Sequence, residues 1–163
     1  MRHLFGNYGI CLNLILSVST MMRIYCRPIN NPRERSACFK IREQIFVAEQ
    51  KLFADSDRDE YDDSAIHIAA FANSHIIGTV RIYEKEKNIW YGGRLAVLKK
   101  YRGKAGKLLV KTAVQTVSKF KPVQFKALVQ AENIPFFIKL KWKKIGGQII
   151  HHGRPHQLME IIF

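Results

Sequence analysis

From Arg23 onward the chain alternates between short apolar runs of period two and longer ones of helical period. RIYCRPI, residues 23–29, reads as a brief strand stopped by Pro28 and the turn pair Asn30-Asn31. Asn31 followed by Pro32 is a helix start, since asparagine caps the first free amides and proline suits the first helical position. Ala37, Cys38, Ile41, Ile45 and Phe46 then recur at helical spacing, which predicts one buried face running to about Gln50. The period is lost in DSDRDEYDD, residues 55–63, which reads as a loop with at most one helical turn. Three strand-like runs follow at 65–72, 76–84 and 89–97. The links Asn73-Ser74-His75 and Lys85–Asn88 are short enough to make them an antiparallel meander.

The stretch GGRLAVLKKYRGKAGKLLV, residues 92–110, changes the picture from simple meander to crossover. A strand leads into a basic, glycine-bearing loop. A helix then runs from Lys104 to Phe120, with Leu108, Leu109, Thr112, Ala113, Thr116, Val117 and Phe120 on one side. The next strand, 123–130, must lie parallel to 89–97, because a helix joins them. A short helix at 132–142 and two strands at about 145–151 and 156–163 complete the order β-α-β-β-β-α-β-α-β-β. In open α/β sheets ligands gather outside the carboxyl ends of such parallel strands. No internal repeat or low-complexity tract interrupts the pattern.

Composition adds a direction to this outline. At 163 residues, with 47% hydrophobic and 25% charged positions, the chain is sized for one domain. Residues 1–64 hold as many acids as bases, so the net charge of +14 resides in 65–163. Six acids crowd into 55–63. The second half therefore suits an anionic ligand: nucleic acid, an acidic membrane or a polyphosphate cofactor. Cys11, Cys26 and Cys38 have no CxxC spacing, which argues against a disulfide framework or zinc knuckle and for a reducing compartment. Residues 1–22 stand apart. Their basic start and apolar run from Ile10 to Val18 imitate a weak signal peptide, too short to span a bilayer. The other reading is upstream sequence before a start at Met21 or Met22, leaving 23–163 as the domain.

Several segments in order resemble the GNAT superfamily of acyl-CoA-dependent N-acyltransferases, over residues 23–163. IREQIFVAEQKLFADSDRDEYDD, IIGTVRIY, WYGGRLAV, YRG, ALVQAENIPFFIKLKW and GRPHQLM are similar to the branch labelled nitrogen-starvation acetyltransferases. The R-x-x-x-F-V-x-E-Q and D-x-x-D portion also resembles acyl-homoserine-lactone synthases. The resemblance implies an α/β (α+β) fold with a mixed, mostly antiparallel sheet of about seven strands flanked by helices. It further implies an acetyl-CoA-dependent N-acetyltransferase of the cytoplasm, acting on a small amine. Specific nucleic acid, membrane and metal are not expected, and a homodimer is compatible with it.

Carried onto this chain, the resemblance makes the backbone of Leu95, Ala96 and Val97 the rail for the pantetheine arm. Arg102, Gly103, Lys104, Ala105, Gly106 and Lys107 would then surround the CoA pyrophosphate. The physics is general: free amides and the helix dipole favour an anion at a helix start. Lys104 and Lys107, with Lys99 and Lys100, would add charge against the 3′-phosphate. One departure stands out, because the usual R-x-x-G-x-G/A loop here has Ala105 and Lys107 in its two glycine places. A Walker A loop is excluded by spacing.

Direct acyl transfer needs a proton acceptor for the amine and a proton for the leaving thiolate. Many relatives use a tyrosine where this chain has Phe137, which cannot donate, while Asn133 remains a contact for the pantetheine arm. Glu49 and His156 are the candidate proton acceptors, the one equally readable as an exposed helix-end carboxylate, the other as a hydrogen-bonded strand-entry histidine. Asp59 and Asp62 would either hold a cationic acceptor or pair with Arg42, Arg81 and Arg94 to brace the site. His151, His152 and His156 have metal-like spacing, but neighbouring residues of a strand point to opposite faces, so a hairpin without metal is expected. Three other classes stay open: an acyl-carrier-protein-dependent acyltransferase, a CoA-binding sensor that does not turn over, and a sequence-blind nucleic-acid binder.

Overall fold

The computed structural model describes residues 22–163; the signal-like or upstream segment lies, but for Met22, outside the described residues. Seven strands form one sheet in the order β1-β2-β3-β4-β5-β7-β6. They are β1 (Ile24–Pro28), β2 (Ile66–Ala72), β3 (His75–Glu86), β4 (Ile89–Val97), β5 (Gln124–Gln130), β6 (Lys143–His151) and β7 (Arg154–Ile162). All neighbours are antiparallel except β4 and β5, the pair joined by the crossover helix.

Helix α1 (Pro32–Arg42) begins as its sequence predicts, with the Asn31 side chain accepting the Glu34 amide and Pro32 in the first turn. It runs on without a break into a π-helical stretch, Glu43–Glu49. Periodicity alone gave one helix here and could not show the widened turn, a feature common near functional sites. Cys38 packs with Ala69 and Phe71, and Ile41, Ile45 and Phe46 pack with Ala96, so this helix covers one face of the sheet. Helix α2 (Arg102–Ser118) covers the other through Ala105, Leu109, Val110, Ala113 and Val117, against Val80, Ile82, Trp90 and Phe125. Helix α3 (Ile134–Lys139) adds Ile134 and Phe137 to that second core. The hairpin between β6 and β7 turns at His152 and Gly153, both at positive φ, so the turn is tighter than the four residues the sequence suggested.

Two local features open the sheet at its centre. The parallel pairing of β4 with β5 covers only Ile89–Gly92 against Gln124–Ala127, and beyond those four pairs the strands part. On its other edge β4 carries a bulge, because the register steps from Arg81↔Gly93 to Thr79↔Ala96 and leaves an extra residue in β4. Arg94 sits in that bulge at φ 54°, a left-handed conformation uncommon outside glycine. The last paired residue is fixed sterically: a Cβ on Gly92 would lie 3.0 Å from the Phe125 ring. Gly92→Ala is therefore expected to wedge β4 from β5 and to destabilise the fold by about 1–3 kcal/mol, read by thermal denaturation.

Candidate active site

Where β4 and β5 part, a cavity of about 590 Å³ passes between the two faces of the sheet. On the α2 side it is lined by Val110, Ala113, Phe137 and Asn133; on the α1 side by Phe53, Tyr61, Tyr83, Tyr91 and the hairpin histidines. Leu95 lines it from β4, while Ala96 and Val97 are buried in the same strand and are not among the lining residues. Past Gly92 the β4 edge facing β5 has no ladder partner, which leaves polar backbone for an extended chain to pair with.

The start of α2 lies beside this edge. Its N-cap, Tyr101, makes no side-chain cap bond, so the first amides of a 17-residue helix are open to an anion. Gly103, Lys104 and Lys107 are exposed there, whereas Ala105 has no accessible surface and Gly106 is buried. The sequence started this helix at Lys104 and so left Arg102 and Gly103 in the loop ahead of it. Instead a 3-10 turn at Lys99–Tyr101 takes up the connection, and Arg102–Gly106 form the first turns of α2. Arg102 braces this corner: its Nε donates to the Val97 carbonyl at 3.2 Å, and its Nη2 pairs with Glu49. Glu49 is thus tied to the helix start and is not among the cavity-lining residues.

His156 is placed differently. It is buried and lines the cavity, opposite Gln130 in the β5–β7 ladder. Its Nδ1 lies 2.9 Å from the Arg154 carbonyl, the contact of a protonated Nδ1, which makes Nε2 the basic nitrogen. The ring of His151 is 5.3 Å from that of His156, and burial together with its two histidine neighbours pushes the His151 pKa down. Among the described residues no three histidine, cysteine or acidic side chains form a metal-ligand cluster. Gln50 ties this corner together, receiving Gln130 Nε2 at 3.1 Å on its side chain and Arg154 Nη2 at 2.8 Å on its carbonyl.

The acidic loop is held down by arginines. Arg42, with no accessible surface, donates Nε to Asp57 at 2.8 Å and a fork to Asp62 at 2.6 and 2.8 Å. Arg81 forks onto Asp59 and also meets Asp62 at 2.8 Å. Arg94 reaches the Asp57 carbonyl at 2.9 Å and Asp59 at 3.1 Å. This is the bracing arrangement, with three arginines against three aspartates. Burial works against the charge on Asp62, but the hydrogen bonds from Arg42 and Arg81 prevail and hold its carboxyl well below the usual range. Asp59 is lowered in the same way by Arg81 and Arg94. Asp62 lies beneath the surface, whereas Asp59, Arg81 and Arg94 reach the cavity.

A tyrosine ladder escaped the sequence reading. Tyr61 stacks on Tyr83 at 4.3 Å between ring centroids, and Tyr83 faces Tyr91 across the β3–β4 pair at 6.1 Å. A link of Lys85–Asn88 would set residue 83 opposite 90; the irregularity between Glu84 and Glu86 shifts the register by one and brings Tyr83 opposite Tyr91. Burial raises the Tyr83 pKa and keeps its hydroxyl protonated at neutral pH. The described thiols play no part here; burial pushes Cys26 up to about 11, and Cys38 lies in the α1 core.

This architecture has known counterparts. The sequence model of the acetyltransferase (GNAT) family matches residues 33–137. The N-acetyltransferase YjcF of Bacillus subtilis, itself named as uncharacterised, is 26% identical over 133 residues, covering 79% of this chain and 93% of that protein. The crystal structure of Escherichia coli ElaA superposes with a TM-score of 0.74 at 22% identity, over 86% of this chain and 99% of that one. The CoA-dependent acyl-homoserine lactone synthase BjaI shares the fold at a TM-score of 0.70 and 17% identity, over 86% and 83% of the two chains. The sheet parted between its two parallel strands, with a crossover helix beside the gap, is a fold this chain shares with those structures. The chain belongs to the GNAT acetyltransferase family.

Proposed function

We propose that the protein transfers an acetyl group from acetyl-CoA directly to the amine of a small acceptor. The observation that carries this reading is the coincidence of the unpaired β4 edge, the uncapped α2 start and the cavity between them. On this reading the pantetheine arm pairs with the backbone of Leu95–Val97 and meets Asn133. The pyrophosphate lies against the amides of Arg102–Lys104, with Lys104 and Lys107 supplying charge. The acceptor enters from the α1 face, between the tyrosine ladder and the hairpin. His156 Nε2 takes the proton released as nitrogen attacks the thioester carbon, the new C–N bond forms and the C–S bond breaks. The leaving thiolate is reprotonated by water or by a lining hydroxyl, since Phe137 has none to offer. Asp59, Arg81 and Arg94, braced from beneath by Asp62, form the wall that shapes the acceptor side, and Glu49 acts through Arg102 on the helix start. Both described cysteines are free thiols, which supports a cytoplasmic setting.

One observation favours a second reading, a longer acyl group: the α2 side of the cavity is walled by apolar Val110, Ala113, Phe125 and Trp142. Thiol release from acetyl-, butyryl- and hexanoyl-CoA, each with a panel of primary amines, tests both. Release that needs an amine and is fastest with acetyl-CoA supports the proposal. Preference for the longer thioesters favours the second reading, and no amine-dependent release with any donor leaves a protein that binds CoA without turnover.

A further inference from the structure

Building on that reading, the geometry points to an acceptor amine that carries a carboxylate, bound by the guanidinium of Arg94. The acidic loop, with its six acids, suggests a cationic acceptor when read as sequence. At Asp59 and Asp62, however, the hydrogen-bonding capacity is already spent. A carboxylate offers about four lone-pair sites. On Asp59 Oδ1 they are taken by Arg81 Nη1 and the Tyr61 amide, on Oδ2 by Arg81 Nη2 and Arg94 Nη2. Asp62 is filled likewise, by two arginines and the Asp59 amide. Neither aspartate has a vacancy for an incoming ammonium group.

The arginine side of the same cluster is not exhausted. A guanidinium presents five N–H donors. Arg94 spends Nε on Asp57 and one Nη2 hydrogen on Asp59, and its Nη1 has no acceptor among the described residues. Its side chain keeps 19% of its surface accessible, against 4% for Arg81, and it lines the cavity. The left-handed bulge puts it there, and a Cβ on the preceding Gly93 would meet nothing within 4 Å, so the space beside it is open. Burial, and next the charge of Arg81, press the Arg94 pKa down against the pull of Asp57 and Asp59. Of the other ionisable lining groups, Arg58 and Lys85 carry positive charge, and Glu60, which has no arginine partner among the described residues, carries negative charge. The acceptor side thus offers the Glu60 carboxylate to the amine and, at Arg94, a planar pair of donors, the match for a carboxylate. The acceptor class is therefore an amino acid or a similar amino carboxylate, with Arg94 as the specificity-determining residue.

The test compares L-amino acids with their decarboxylated amines, phenylalanine with phenethylamine and leucine with isopentylamine, as acceptors for the full-length wild-type enzyme. The amino acids are expected to exceed the amines in kcat/KM by at least about tenfold, the scale of a charge-assisted hydrogen bond. Arg94→Gln should lower kcat/KM for phenylalanine at least about tenfold more than for phenethylamine and so abolish that preference, and Arg94→Lys should restore it in part. Equal use of both acceptor kinds, or an equal loss on both in Arg94→Gln, overturns the inference. Should no amine turn over, the proposed reaction fails, and calorimetric titration with hydrocinnamate decides the carboxylate site separately. Saturable binding in the wild type that is lost in folded Arg94→Gln supports it, and no binding to the wild type overturns it.

Discussion

Arg42→Ala is expected to destabilise the protein by about 3–5 kcal/mol, the cost of breaking a buried ion pair from one side. Thermal denaturation should show a fall in Tm of roughly 6–20 °C for a chain of this size. The reason lies in the geometry: Arg42 has no accessible surface and makes three short bonds that join the 57–62 loop to the end of α1. Its loss leaves Asp62 with Arg81 alone and Asp57 with Arg94 alone, both carboxylates still out of water. Arg42→Lys should recover only part of the loss, because an ammonium cannot fork onto Asp62 while also reaching Asp57. The same cluster sets the acid limit. Asp59 and Asp62 have folded-state pKa values below those of the unfolded chain. Their contribution is therefore complete above the unfolded value of about 3.9 and is lost as pH falls towards the folded ones. Wild-type Tm should drop steeply below about pH 4, and the Arg42→Ala protein should show a shallower drop there. A wild-type stability unchanged down to pH 2 would contradict the role given to the cluster.

His156→Ala is expected to lower kcat by about 10²–10⁴-fold, the usual worth of a positioned general base, with KM for acetyl-CoA nearly unchanged. The split follows from its place: His156 lines the cavity on the α1 face with Gln130, away from the α2 start where the pyrophosphate is assigned. The deletion leaves room for imidazole, which added to the assay should restore part of the rate. A variant that retains full kcat would reduce His156 to a strand-entry histidine holding the Arg154 carbonyl. Glu49→Gln, by contrast, releases the pairing with Arg102 at the helix start, and its effect should fall on KM for acetyl-CoA.

The strand order and the crossover were legible because each rests on local signals. Alternation marked β2 to β4, Asn31-Pro32 marked α1, and a helix between two strands demanded a parallel pair. The opening of the sheet was not legible, because its causes are tertiary. Nothing in the side chain of Arg94 announces a left-handed bulge, a position that glycine would normally signal. The π-helical stretch was hidden for a different reason: its apolar residues keep a helical spacing close enough to pass for the ordinary kind. The start of α2 was misplaced by two residues, since glycines read as loop punctuation while Ala105 and Gly106 are there to let the helix lie close on the sheet. In the site, the sequence offered Glu49 and His156 as equals, and only the fold separates the one at the helix start from the one in the cavity. It also left open whether the acidic loop holds a cation or braces the structure. Pairing with Arg42, Arg81 and Arg94 joins segments up to 37 residues apart, which no local pattern encodes.

The central claim is that an acyl-CoA lies on the unpaired edge of β4 with its pyrophosphate at the start of α2. A calorimetric titration of the wild type and of Lys104→Glu/Lys107→Glu with acetyl-CoA tests it most directly. The account predicts saturable one-to-one binding, weakened at least about tenfold by reversing the two charges beside the open amides. Absence of saturable binding to the wild type, or an affinity indifferent to the charge reversal, would contradict it.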